Sequence, residues 1–359
     1  MTAVTSQAVT FSVYDGATFP SWYPAIGACV AIPTGGTTIG TAVRAAGGNS
    51  YGGTDPDDIV EPWSGGALVY ISGQPYLVVY GGGHGDSGFN GLMKFGPLHG
   101  IGSDSPTWTT FLAPSSTSDQ RDASTYLDGR QSSIHSYNGL VGVNDRMYSM
   151  QTSAYYSIGH ASNAGYYFTP SGQTTIASNV TTGAYGCAAY HDGKIYYIGG
   201  NSQFDRLRIY TIASNSWSSE SSSDIAFANY IAAAVDTSRG KLLVIGGATL
   251  QSGAYWDLST LSRQTSITRP STSAYALEYD VGRDVFVAYV SGSLTVYETS
   301  AATLASGGGA SWASRTFTGS TPTSSPVQGT YGRFRYVPEL NGYIVVPDLE
   351  TAVYFMRSS

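Results

Sequence analysis

A short apolar strand closed by a glycine pair returns again and again along this chain. Tyr-Leu-Val-Val-Tyr-Gly-Gly-Gly ends at Gly83, Lys-Ile-Tyr-Tyr-Ile-Gly-Gly at Gly200 and Lys-Leu-Leu-Val-Ile-Gly-Gly at Gly247. Degenerate copies end near Met150, Gly292 and Asp348. The step from Gly200 to Gly247 is 47 residues, and from Gly247 to Gly292 it is 45. Each copy has the same grammar. A first strand (Tyr185 to Tyr190, Tyr230 to Val235, Tyr275 to Tyr279, Tyr331 to Val337) leads to a tight turn such as His191-Asp192-Gly193. The apolar strand and its glycines come next, then a third strand such as Leu207 to Ile212 or Ala254 to Leu258. Some copies add a Trp-bearing fourth strand, as at Trp217 and Trp312. Asp-Gly is a strong hairpin signal.

A period of 40 to 50 residues with four short strands per copy predicts propeller blades. The fold class expected is all-β: a single β-propeller of six four-stranded antiparallel blades, with seven as the alternative. The apolar second strand lies inside its blade, covered on both faces. A blade cannot bury its faces alone, so the copies must pack into a ring. The last copy, Tyr331 to Arg357, supplies three strands. The expectation is that an N-terminal strand, Ala8 to Tyr14, pairs with this blade and closes the ring. The apolar run Cys29-Val30-Ala31-Ile32 is where a seventh blade would hide. One domain then spans 1–359, with 1–62 as closing strand and extended segment or partial blade, and 63–357 as blades. Residues 301–326, rich in Gly, Ser and Thr, read as a surface loop.

Composition narrows the function classes. Only 11% of the 359 residues are charged, and 13% are aromatic, so the chain is core-forming rather than disordered. A net charge of −7 with 17 dispersed basic residues speaks against nucleic acid as partner. No apolar run is long enough for a membrane helix, so no membrane insertion is expected. No signal peptide is visible. Two cysteines, Cys29 and Cys187, make no disulfide framework. No nucleophile elbow and no phosphate-binding loop occurs.

The glycine pair after an apolar strand and the later Trp resemble the kelch-like β-propellers over roughly 63 to 357. A sharper similarity is to a Gly-Gly-Gly-His group of such propellers in bacterial and phage proteins. Trp63-Ser64-Gly65-Gly66 followed by Gly81-Gly82-Gly83-His84-Gly85-Asp86 carries it, with Asn90 at the expected place and Ser87 departing from the usual aromatic. Asp128-Gly129-Arg130 with His135-Ser136-Tyr137-Asn138, and the closing Arg333-Phe334-Arg335-Tyr336, match two further elements.

From these residues come the candidate sites. His84 follows the glycines, where a neutral His suits proton abstraction near neutral pH, or hydrogen-bonds neighbouring loops. His135, one blade on, is its expected partner. His84, Asp86 and His135 are the candidate ligands of a structural metal ion, with no other cofactor expected. Arg130, Arg333 and Arg335 would bind an oxyanion or pair with acidic neighbours. His84, Asp86, Asn90, His135, Tyr137, Arg333 and Arg335 form the expected ligand-binding set. The 28 tyrosines suit both strands and sugar stacking.

Two functions follow as expectations. One is a surface-recognition propeller, on a phage virion or tail or at an extracellular surface, binding a cell-surface glycan or another virion protein and multimeric through assembly into a larger particle. The other rests on similarity to propeller polysaccharide lyases such as the ulvan lyases. It implies β-elimination on a uronate polymer by His84, His135 and Arg130.

Overall fold

A computed structural model describes residues 19–53, 55–60, 63–82, 87–121, 123–150, 165–178, 186–199, 207–219, 230–246, 252–270, 276–325 and 329–359. The chain opens with strand β1 (Ala28–Ala31) and helix α1 (Ile39–Ala45). Blade 1 follows as β2 (Gly65–Ile71), β3 (Gln74–Tyr80), β4 (Leu92–Gly96) and β5 (Thr107–Leu112). Blade 2 is β6 (Leu140–Val143), β7 (Arg146–Ser149), β8 (Tyr166–Thr169) and β9 (Gly172–Thr175). Blade 3 is β10 (Cys187–His191), β11 (Lys194–Ile198), β12 (Arg208–Thr211) and β13 (Ser216–Ser219). Blade 4 is β14 (Ala232–Asp236), β15 (Lys241–Ile245), β16 (Ser252–Asp257) and β17 (Arg263–Thr268). Blade 5 is β18 (Ala276–Asp280), β19 (Val285–Tyr289), β20 (Thr295–Ser300) and β21 (Ala313–Thr316). Within each blade the strands pair in sequence order, antiparallel throughout.

Blade 6 closes the ring. After β22 (Thr318–Gly319), it holds β23 (Phe334–Val337), β24 (Gly342–Val345) and β25 (Tyr354–Arg357), and its sheet order is β22-β1-β25-β24-β23. β1 pairs antiparallel with β25, Val30 opposite Phe355. The N-terminal closure expected from sequence is therefore present, six blades complete the ring, and the run at Cys29 is the closing strand rather than a seventh blade. Ala8 to Tyr14 lies outside the described residues. Residues 301–326 are not one loop: they contain α2 (Ala301–Ala305), β21 and β22.

The sequence pattern explains the packing. Along β15, Leu242 and Val244 face blade 3, while Leu243 and Ile245 face blade 5, all at most 1% exposed. That is why this strand reads as an unbroken apolar run: both faces are covered. Burying each such side chain stabilises the fold by about 1.5–3 kcal/mol. Six hydrophobic clusters result, one between each pair of neighbouring blades. The cluster between blades 6 and 1 also takes in the N-terminal segment through Trp22, Ile39 and Tyr51. Thr38 caps α1 with a reciprocal capping box, and Arg44 on that helix bonds Asp57 at 2.6 Å and Glu350 at 2.5 Å.

The first strand of every blade lies innermost. β2 touches β6, β6 touches β10, and so on through β14, β18 and β23 back to β2. Glycine permits the closest approach. A Cβ on Gly142 of β6 would stand 1.7 Å from the Leu68 carbonyl oxygen of β2.

Candidate functional site

At the end of the ring where the innermost strands begin, aromatic residues converge. Trp63, Tyr137, Tyr230 and Tyr331 each stand two or three residues ahead of such a strand. All four have left-handed backbones, with φ of 49°, 44°, 66° and 45°. Such a conformation costs a non-glycine residue about 1–3 kcal/mol and persists only where surrounding contacts hold it. Ring packing supplies those contacts. Tyr137 of blade 2 lies 5.4 Å from Tyr331 of blade 6 and 5.7 Å from Tyr230 of blade 4, and Tyr230 and Tyr331 are 6.3 Å apart. Three alternate blades thus send a tyrosine to the axis. Tyr331 and Tyr137 are buried, whereas Tyr230 and Trp63 are half-buried. Tyr185 and Tyr275 hold the matching sequence positions in blades 3 and 5 and lie outside the described residues.

His135 belongs to this group. It is 2% exposed, its ring centroid is 4.5 Å from that of Trp63, and its Nδ1 is 3.3 Å from the Tyr137 hydroxyl. The serines around it bind blade 2 to blade 1. Ser136 Oγ donates to the Tyr80 carbonyl and accepts from Gly65 N–H, Ser133 Oγ donates to the Gly81 carbonyl, and Tyr80 O–H donates to the Ser132 carbonyl. Gly82 has φ of 102°, and a Cβ on Gly81 would collide with the Ser64 side chain. Glycine at both positions lets β3 end against Ser64 and Ser133.

The three sequence elements singled out above do meet, around β2. Arg333 is fully buried and donates to the Ser64 (2.8 Å), Val346 (2.6 Å), Pro347 and Gly329 carbonyls and to Ser325 Oγ. Arg335 reaches across the axis. It donates to the carbonyls of Gly66 in blade 1, Leu140 in blade 2 and Gly332, and pairs with Glu278 of blade 5 at 2.7 Å. Burial pushes the Glu278 carboxyl upward, and Arg335 pulls it back only in part.

Asn90 is also buried. Its amide donates to Ser115 Oγ and the Gln131 carbonyl and accepts from Ser115 N–H. Arg130 turns away from the axis: its Nε bonds Asp128 at 2.8 Å and its Nη1 bonds the Ala113 carbonyl. Of the expected set, then, His135, Tyr137, Arg333 and Arg335 gather near the axis. Asn90 and Arg130 serve the junction of blades 1 and 2. His84 and Asp86 lie outside the described residues, and among the described residues no group of three His, Cys, Asp or Glu is arranged to hold a metal ion.

Sequence reading missed Trp63, Tyr230 and Tyr331 as a group. The signal was present, since Tyr230 and Tyr331 open the first strand of their copies as read from sequence. In the structure they stand just ahead of it, turned inward by a left-handed residue.

No protein-family model matches the chain, and neither does any curated protein. Among solved structures, a chain of the mitotic checkpoint complex superposes with a TM-score of 0.47 at 11% identity, over 99% of this chain and 99% of that chain. The propeller is established by the chain's own strand pairing.

Proposed function

We propose that the chain is a surface-recognition propeller of the kelch-like kind, carried on a virion or another exposed surface, which binds a cell-surface glycan at the end of the ring bearing the aromatic group. The observation behind this reading is an asymmetry of connections. At the opposite end the first two strands of blades 1, 2 and 3 turn in tight hairpins at 72–73, 144–145 and 192–193, with longer connections there at 97–106 and 301–312. From the aromatic end depart long connections between β7 and β8, β9 and β10, and β13 and β14. Long connections on a rigid scaffold are where binding residues concentrate. Half-buried Trp63, packed on His135, and Tyr230, packed on Tyr137 and Tyr331, offer ring faces, which suits sugar stacking at low entropic cost. Modest affinity per site would be multiplied by copy number on a particle.

A lyase reading has one observation in its favour, the His135–Tyr137 contact at 3.3 Å. Both side chains are only 2% exposed, however, which suits a packing role better than contact with a polymer. The deciding experiment is a glycan array with whole-cell binding, run on the wild type and on Trp63→Ala and Tyr230→Ala. Retained glycans that both variants lose support the proposal, and no carbohydrate signal sinks it. Absorbance of an unsaturated product from any uronate polymer would favour the lyase instead.

A further inference from the structure

At the end carrying the two-residue hairpins, the seam between blades 2 and 3 is built unlike those between blades 4 and 5 and between blades 5 and 6. On blade 3 a cross-strand row runs Tyr190, Ile195, Tyr210, Trp217. On blade 2 the row runs Val141, Tyr148, Tyr167. Tyr148 lies 5.4 Å from Tyr167 and 6.2 Å from Tyr210, and Tyr210 lies 5.3 Å from Trp217. Tyr148 and Tyr210 are buried. Tyr167 and Trp217 are half-buried, and Tyr190 is 37% exposed.

The cation at this seam is also unusual. The exposed Arg146 guanidinium sits 4.9 Å over the Tyr167 ring. Among the described residues it has no carboxylate at ion-pair distance; Asp145 next to it acts only through space. Two other seams are sealed by ion pairs. Between blades 4 and 5, Arg239 bonds Asp236 and Asp284, each at 2.7 Å, over Tyr279 and Tyr255, which are 8% and 5% exposed. Between blades 5 and 6, Arg283 bonds Glu298 at 2.5 Å above the buried Tyr343.

We propose that the blade 2–3 seam is a binding cleft for a carboxylated saccharide, its pyranose faces against Tyr167 and Tyr190 and its carboxylate on Arg146. Charge decides the ligand class: a guanidinium held flat by a ring and lacking an acidic partner presents a fork to a carboxylate. The flanking aromatic faces suit apolar sugar faces. This cleft is at the opposite end from the aromatic group on the axis, so the two proposals stand or fall separately.

The test is calorimetric titration of the full chain with tetragalacturonate, with maltotetraose as neutral counterpart and a glutamate tetrapeptide as acidic non-sugar. The proposal expects tetragalacturonate to bind at least about tenfold more tightly than either control. Arg146→Gln, at an exposed position, should weaken it about tenfold and Tyr190→Ala several-fold, with unchanged melting curves. Trp63→Ala and Tyr230→Ala should leave this binding intact. No binding by the wild type, unaltered binding by Arg146→Gln, or equal binding of either control would overturn it.

Discussion

The Arg335 guanidinium of blade 6 and the Glu278 carboxylate of blade 5 face each other at 2.7 Å inside the ring. Because the same Arg also donates to carbonyls of blades 1 and 2, four of the six blades meet at one side chain. Glu278 is pushed up by burial despite this partner, so its charge is a net burden that the pair offsets only in part. Its sign is opposite to that of a surface carboxylate. The cost is absent below the unfolded value and appears as pH rises through the raised folded value. Removing only the cation leaves a buried charge, and Arg335→Met should cost about 3–5 kcal/mol. Glu278→Gln keeps the shape and one acceptor, and should cost much less at neutral pH. Urea unfolding of both variants at pH 7 checks the order; equal losses would contradict the desolvation argument.

Acid should act on the rim of the ring with the usual sign. Hydrogen bonds from Arg239 hold Asp284 below the normal carboxylate range, those from Arg44 do so for Glu350, and Lys241 does so for Asp257. Depressed carboxylates stabilise the fold above their unfolded values, and that contribution is lost as pH falls through the folded ones. The expected window is below about pH 4. Wild type and Asp284→Asn should differ in urea midpoint at pH 7 and converge as pH drops toward about 2. The gap at neutral pH should be small, since Arg239 and Asp284 are partly exposed and screened.

Glycine in an inner strand should be irreplaceable where blades approach. At Gly142 the nearest obstacle to a Cβ is the Leu68 backbone carbonyl, which has no rotamer to yield. Gly142→Ala must therefore push β6 off β2, at a cost of about 1–3 kcal/mol or more. Gly129, with nothing near its missing Cβ but φ of 81°, should instead lose only the conformational penalty, about 1–2 kcal/mol. Thermal melts of the two variants separate packing from backbone strain.

How far the sequence could be read depended on where each signal came from. Hairpin turns and apolar second strands are local, and β11 and β15 fall where their glycine pairs place them. The closing strand was harder. Ala28–Ala31 has four residues, no glycine pair, and a partner more than 300 positions away, so nothing local distinguishes it from the start of a further blade. The arginines fail for the same reason. Arg333 and Arg335 sit one residue apart on either side of Phe334, yet the first reaches the Ser64 carbonyl ahead of blade 1 and the second a carboxylate of blade 5. Only ring closure brings those partners together. The tyrosines resolve in part: Tyr331 and Tyr137 are axis residues fixed by left-handed backbones, while Tyr148 and Tyr210 fill a seam.

The two later tryptophans test whether blades are fastened by hydrogen bonds as well as by apolar contact. Trp217 Nε1–H donates to the Ala177 carbonyl of the preceding blade at 2.8 Å, and Trp312 Nε1–H donates to the Thr268 carbonyl at 2.7 Å. The geometry repeats because both rings stand at the outer edge of a blade and reach the end of the previous blade's last strand. Phenylalanine keeps a ring but cannot donate, so each Trp→Phe change should cost about 1–2 kcal/mol. The positions lie in blades 3 and 5 with no shared partner, so the double variant should show the sum within about 0.5 kcal/mol. A double variant losing markedly more would mean that opening one seam loosens the other, and the ring would then unfold as a coupled whole rather than seam by seam.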